Sequence, residues 1–371
     1  MSQKLKIPAS FAIVKRGNTT LFVKEKHKES ILRIVLDKEF LHKSGNNTQV
    51  KFGRGRYLSV PVTENSTERF VVRDYRHGGL LGKLFGGIFL NGDRPLNEMF
   101  TSEIASQRGV PSAEVIAVAK RRLWGIFYKA KFISKEIDGA VDMIEFLKKS
   151  SAEFMQRYKK PVIFALVKLI RNMHDAGIYH ADLHLKNILL KKDSTGEFTA
   201  YIIDLDKSVV LDKLDIQQRI KNLLRLDRSL EKLRWLAGKT HSYQKNMKDD
   251  GSNHASPLPR WEGTKGRVKQ GFPNKDYQYN VPASHSNESG EFFGQKIASI
   301  SRADRLRFFK AYMLFGTAID RDWKKYIRQY QTHYSLHKFW WRVSGFSRSN
   351  TEKGELQGKN FSVFLLVKSV I

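Results

Sequence analysis

The chain has 371 residues, of which 66 are basic and 37 acidic, giving a net charge of +29, and it contains no cysteine. The missing thiols exclude a disulfide scaffold and a cysteine-ligated metal, and no base-reading motif marks nucleic acid as the partner of the excess charge, so an anionic membrane surface or glycolipid is expected instead. The N-terminus lacks the apolar core of a signal peptide and no apolar run is long enough to span a bilayer, which places the chain on the cytoplasmic side by expectation.

Residues 11–36 alternate loosely and predict a strand, a turn and a second element of open type. "KFGRGRYLSVPV" (51–62) sets Gly53 and Gly55 before an alternating run. Such a pair either lets backbone N–H groups approach phosphates or simply makes a hairpin turn. "RFVVRDYRHGGLLGKLFGG" (69–87) begins as a strand. It has no lysine where kinases hold the α- and β-phosphates; Arg73 stands there, and its planar fork suits phosphate oxygens. Surface charge on an edge strand is the plainer reading of Arg73 and Arg76.

"DRPLNEMFTSEIASQRGV" (93–110) predicts a helix capped by Asp93, with Pro95 in its first turn, Gly109 at its end and Leu96, Met99, Phe100 and Ile104 facing inward. Glu98 is positioned to pair with Arg73, and Glu103 competes for that role. Residues 109–133 read as two strands around a basic turn. Ile133 to Glu136 then fall where a sheet-rich lobe would join a helical one, and where backbone could meet an adenine edge. The clearest helix is 160–177, with Ile163, Leu166, Val167, Ile170 and Met173 at the period of a buried face. His174 reads as a helix-end residue near the dipole, and Gly177 as the stop.

The next stretch carries the chemistry. In "GIYHADLHLKNILLKKD" (177–193), Asp182 is followed five residues later by Asn187, and "YIIDLD" (201–206) ends an apolar run at Asp204. This H-x-D-x-x-x-x-N then D spacing is that of a kinase catalytic loop and its metal-binding strand end. Phosphoryl transfer needs a carboxylate near the attacking hydroxyl, which suits Asp182. It also needs a few oxygen ligands for magnesium, which suits Asn187 and Asp204, with Asp206 as a helper. A strand at "NILL", a turn at "DSTGE" and a second strand would bring Asn187 beside Asp204. His184, two residues after Asp182, stands where protein kinases carry lysine; it favours a small-molecule acceptor or merely orders the loop.

Residues 214–236 predict a basic helix. From 240 to 297 the composition turns polar and Pro/Gly-rich without periodicity, as in a loop or disordered insertion. Helical periodicity returns over 298–343, and an apolar tail of open role, too short to span a membrane, follows at 344–371.

These motifs resemble the lipopolysaccharide kinase family, and within it the 3-deoxy-D-manno-octulosonic acid (Kdo) kinases. The likeness covers roughly 50–235 and 298–316, most specifically "VVRDYRHGGLLGKLFG", "HDAGIYHADLHLKNILL" and "IIDLDKS". It implies an α+β, protein-kinase-like two-lobed fold, with a β-rich N-lobe over 1–133 and an α-helical C-lobe beginning at 134. It implies ATP and Mg2+ as cofactors, Asp182 as catalytic residue, Asn187 and Asp204 as metal ligands and Glu98 as the helix glutamate. It implies a Kdo-lipid A type glycolipid as acceptor, at the cytoplasmic face of the inner membrane. The family tolerates arginine in place of the strand lysine, here Arg73. "DLD" departs mildly from the family's more usual D-F-D, and 240–297 has no family counterpart. A heptose kinase of the same core, a protein kinase and a catalytically inactive kinase-fold binding protein are the alternative functions.

Overall fold

The structure is a computed structural model that describes residues 7–36, 49–52, 56–63, 66–75, 87–90, 93–249, 300–315, 324–328, 330–332 and 335. They fall into two units, Met1–Ala318 and Ile319–Ile371. The division lies inside the 298–343 stretch that the sequence presents as one set of helices. In the second unit the described residues are helical.

The first unit opens with seven strands: β1 (Phe11–Arg16), β2 (Thr19–Lys24), β3 (Gln49–Phe52), β4 (Arg56–Pro61), β5 (Arg69–Asp74), β6 (Val115–Arg122) and β7 (Tyr128–Lys135). They form one antiparallel sheet in the order β1-β2-β6-β7-β5-β4-β3. Where the sequence offers one second element of open type after the turn, the structure has two, β2 and a helix, α1 (Lys28–Leu36).

Each face of this sheet is covered, and strand alternation decides which side chain goes where. Leu21, Val23, Phe70, Val72 and Ile133 pack with Ile31 and Ile34 of α1. Phe22, Tyr75, Val118, Ala130 and Phe132 turn the other way, onto Leu96 and Met99 of α2 (Asp93–Gln107). Because Val72 faces α1, Arg73 necessarily faces α2. The predicted inward face of α2 is richer than its apolar positions suggest: Glu98, Thr101, Ser102 and Glu103 are buried too.

The backbone N–H groups of Lys135 and Glu136, in the stretch the sequence offers to an adenine edge, are taken up within the fold. Ile133 and Ser134 pair with β5 and β6, the Lys135 N–H donates to the Glu114 carbonyl and the Glu136 N–H to that of Arg69. The strand runs on because β7 is central in the sheet, with partners on both sides.

Beyond it come β8 (Val141–Asp142), α3 (Met143–Lys149) and α4 (Ala152–Asp175), then β9 (Ile178–Tyr179), β10 (Ile188–Lys192), β11 (Phe198–Ile202) and β12 (Val209–Val210). The order is β11-β10-β8 in one small sheet, and β12 pairs with β9. α4 starts eight residues before the predicted point of 160, capped by the Ser151 hydroxyl, and runs through Pro161. Proline costs one backbone bond there, but Val162, Ala165, Leu166, Leu169 and Ile170 bury a continuous stripe that holds the helix together.

α5 (Ile216–Asp249) begins at a reciprocal cap: Asp215 Oδ1 accepts from Gln218 N and Gln218 Oε1 accepts from Asp215 N. Its backbone stays helical ten residues past the expected break at 240. Residues 250–297 and 344–371 lie outside the described residues. α6 (Arg302–Leu314) opens on a Ser301/Asp304 capping box and packs on α4.

Candidate active site

The β10–β11 hairpin fixes the geometry first. Asp193 Oδ1 closes its turn by accepting from Glu197 N and Thr195 Oγ1. The register pairs Ile188 with Ile202, so Ile203 N donates to Asn187 O at 2.9 Å and Asp204 follows at once. Asp204 has φ of 60°, a left-handed conformation that aspartate tolerates better than most residues.

A closed ring of four hydrogen bonds then ties the loop together. His180 Nδ1 accepts from Asp182 N at 3.1 Å, which leaves the proton on Nε2, facing Ile203 O at 3.3 Å. Ile203 N reaches Asn187 O, and Asn187 Nδ2 donates to Asp182 O at 3.0 Å. The ring gathers the segments carrying Asp182, Asn187 and Asp204. Burial holds the His180 imidazole down at about 4, so it is neutral in this role. Leu183 and Leu185 plug the loop into the core while the Asp182 carboxylate stays half exposed, with His184 Nε2 at 3.6 Å.

Across the cleft, Arg73 donates to Glu98 Oε1, and its other terminal nitrogen lies 3.5 Å from Asp204 Oδ1. The guanidinium stacks on Phe132, its cross-strand partner, with 4.5 Å to the ring centroid. Glu98 is 1% exposed. Burial pushes its carboxyl up to about 7 against the pull of Arg73. Burial likewise opposes the charge on Arg73, but Glu98 and Asp204 hold its pKa above the ordinary value. Glu103 takes no part: it binds Ser10 Oγ at 3.1 Å and Lys24 Nζ at 3.2 Å. Gly53 and Gly55 lie outside the described residues.

Asp206 is not free to help with a metal. Its carboxylate accepts a forked pair of bonds from Arg94 and one from the Tyr75 hydroxyl at 2.8 Å. Burial disfavours its charge, yet those partners keep its pKa below the ordinary value. Arg94 went unnoticed in the sequence, although it stands four residues before Glu98 and therefore on the same helix face.

Among the described residues no three His, Cys, Asp or Glu side chains cluster as a metal site. The set that does stand here, one carboxylate from Asp204 and one amide oxygen from Asn187, fits magnesium, which takes few protein ligands and completes its shell with water and phosphate. Asn187 suits this use, since its amide nitrogen is already committed to Asp182 and its oxygen remains as the acceptor.

α5 braces the loop from beneath, a role not read from the sequence. Asn222 bonds His180 on both backbone groups, at 3.2 and 2.8 Å. Arg225 Nη1 donates to Ala181 O at 2.7 Å, and Ser229 Oγ accepts from Leu185 N at 3.0 Å. The spacing of three and then four residues puts all three on one helix face. The available signal was polar Asn222 inside the apolar run "IKNLLRL". His174 is likewise more than a helix end. It is fully buried between the Tyr312 hydroxyl at 2.7 Å and Asn222 Oδ1 at 3.1 Å, and burial drives it down to about 3.

Comparison with known proteins bears on this site. The sequence model of the "Lipopolysaccharide kinase (Kdo/WaaP) family" matches residues 45–247. Three proteins named 3-deoxy-D-manno-octulosonic acid kinase are similar. That of Vibrio cholerae serotype O1 is 30% identical over 198 residues, 52% of this chain and 77% of its own. That of Photobacterium damsela subsp. piscicida is 33% identical over 167 residues, 43% of this chain and 64% of its own. That of Haemophilus influenzae Rd is 32% identical over 186 residues, 48% of this chain and 73% of its own. A solved structure titled "WaaP in complex with acyl carrier protein" aligns at a TM-score of 0.37 with 19% identity, covering 56% of this chain and 80% of that one.

Proposed function

The chain belongs to the lipopolysaccharide kinase (Kdo/WaaP) family, and from that premise we propose that its site moves the γ-phosphoryl group of ATP onto a hydroxyl of Kdo in a lipid A precursor. It is a phosphotransferase acting on an alcohol group. The observation that carries the assignment of roles is the hydrogen-bonded ring through Asp182, His180, Ile203 and Asn187, facing the Arg73–Glu98 pair across Asp204.

In this reading Asp182 accepts the proton of the attacking sugar hydroxyl. Arg73, oriented by Glu98 and by stacking on Phe132, holds the α- and β-phosphates. Asn187 and Asp204 hold magnesium, which when bound neutralises charge on the phosphates. Most of the rate then comes from positioning, because phosphoryl transfer leaves the protein little covalent work. The Arg94–Asp206 clamp keeps α2, and with it Glu98, against the segment that carries Asp204. We place the reaction at the cytoplasmic face of the inner membrane, where the net charge of +29 favours an anionic surface.

Mass spectrometry of lipid A–core from cells with and without this gene tests the assignment. The expected result is one phosphate missing from the Kdo region when the gene is absent. An unchanged glycolipid, or a phosphate missing from heptose instead, overturns it.

A further inference from the structure

We infer that the hairpin between β6 and β7 is a membrane anchor, whose Trp124 and Ile126 enter the interface of an anionic bilayer. The inference rests on the kinase reading only for its purpose, not for its physics.

The tip is tied by hydrogen bonds and displays what a globular protein normally hides. Phe127 N donates to Trp124 O and Leu123 N to Phe127 O, with Gly125 at φ of 51°. Arg122 Nε caps the Gly125 carbonyl at 2.8 Å. This turn holds Trp124 62% and Ile126 63% exposed. Beside it, Phe89 bridges Tyr128, which brings Leu90, 62% exposed, to the same end. Scattered exposed apolar residues mean little; three at one end, one of them tryptophan, mark an interaction surface.

Charge selects the partner. Arg121 and Lys129 face each other across the hairpin behind the tip, and the neighbouring β1–β2 turn adds Arg16. All three are exposed, and among the described residues none of them forms an ion pair. Unpaired cations behind an apolar tip that carries tryptophan suit anionic headgroups above acyl chains.

Topology gives the anchor its use. β5 and β7 are antiparallel, with Asp74 opposite Lys131, so the hairpin tip lies beyond the Arg73 end of β5. β3 and β4 turn at that end as well, with Phe52 opposite Arg56 and Tyr57 opposite Arg73. Docking here therefore turns the phosphate-handling end of the sheet toward the bilayer that would hold a glycolipid acceptor.

The full-length protein is tested by co-sedimentation with vesicles of phosphatidylcholine alone or mixed with phosphatidylglycerol. Binding is expected on the anionic vesicles and to fall at least tenfold in the Trp124→Ser/Ile126→Ser variant. It is expected to fall about fivefold for each of Arg121 and Lys129 changed to glutamine. Trp124→Tyr should still bind, while the quenching of tryptophan emission by lipids brominated on their acyl chains should drop relative to the parent. Circular dichroism verifies that each variant is folded. Wild-type binding by the folded Ser/Ser variant, or quenching unchanged in Trp124→Tyr, overturns the anchor. The assay needs no turnover, so failure of the kinase assignment shows separately, as absent phosphate transfer to a deacylated, water-soluble acceptor.

Discussion

The side-chain amide of Asn187 donates to the backbone carbonyl of Asp182 at 3.0 Å. One residue that would ligate the metal thus also sets the conformation of the residue that would take the substrate proton. Asn187→Asp keeps an oxygen ligand but replaces the donor with a second acceptor, facing a carbonyl. We expect kcat to fall at least about 10²-fold, with a smaller change in KM, because positioning is lost. Steady-state kinetics over ATP and acceptor concentration test this; a kcat within twofold of the parent would contradict it.

Arg73 of β5 and Glu98 of α2 form one ion pair that faces Asp204. Arg73→Ala leaves a buried carboxyl without its cation, and Glu98→Ala leaves the guanidinium unguided. Each single change should cost about 10²-fold or more in kcat/KM, and the double variant should be less than about tenfold worse than either single one. Additive losses would show that the two side chains serve separate ends.

His174 and His180 make stability depend on pH in one direction. Both are buried and neutral, held down to about 3 and about 4 from an ordinary 6.5. Between those values and 6.5 the unfolded chain binds the protons and the folded chain does not. Their contribution to stability is therefore complete above pH 6.5 and falls as pH drops toward 4, by about 1.4 kcal/mol per pH unit for each imidazole, while buried Glu98, raised to about 7, opposes it with a single slope of the other sign. Melting temperatures from pH 7.5 to 4.5 should show this slope, and His174→Gln should flatten it. An equally steep slope in that variant would be inconsistent with a buried neutral imidazole.

Gly177 is where the chain leaves α4 for the loop that carries Asp182. It has φ of +73°, and a Cβ there would lie 2.0 Å from the Leu211 carbonyl oxygen. Gly177→Ala should destabilise the fold by more than about 2 kcal/mol, through strain and displacement of the β9–β12 pair. Urea denaturation measures it, and a loss under about 0.5 kcal/mol would mean the backbone relaxes freely.

Much of the site could be read from local spacing. Asp182, Asn187 and Asp204 follow from the loop-strand-turn-strand order, since a hairpin of known register must bring its two ends together. Arg73 could be placed by its position on the strand, while its direction toward α2 comes from the alternation of the folded sheet. What stayed hidden was tertiary. Asp206 looks like a spare metal ligand until Arg94 and Tyr75 are seen to occupy it. Asn222, Arg225 and Ser229 bind backbone carbonyls and amides more than thirty-five residues away in sequence, a pairing no periodicity reveals. The clearest periodicity begins at 160, but α4 starts at Ala152 and runs through Pro161, because a buried stripe outweighs one lost hydrogen bond. That the Lys135 and Glu136 N–H groups are bonded to Glu114 and Arg69 likewise depends on sheet neighbours distant in sequence.

The most direct test of the account is transfer of labelled phosphate from ATP to Kdo-lipid A by the purified protein and by Asp182→Asn, a change that keeps shape and removes the base. The parent should label the glycolipid, and the variant should lose at least about 10³-fold in kcat while its melting temperature stays within a few degrees. Turnover by the variant at the parent's rate, or label entering protein while the glycolipid stays unlabelled, would contradict the account.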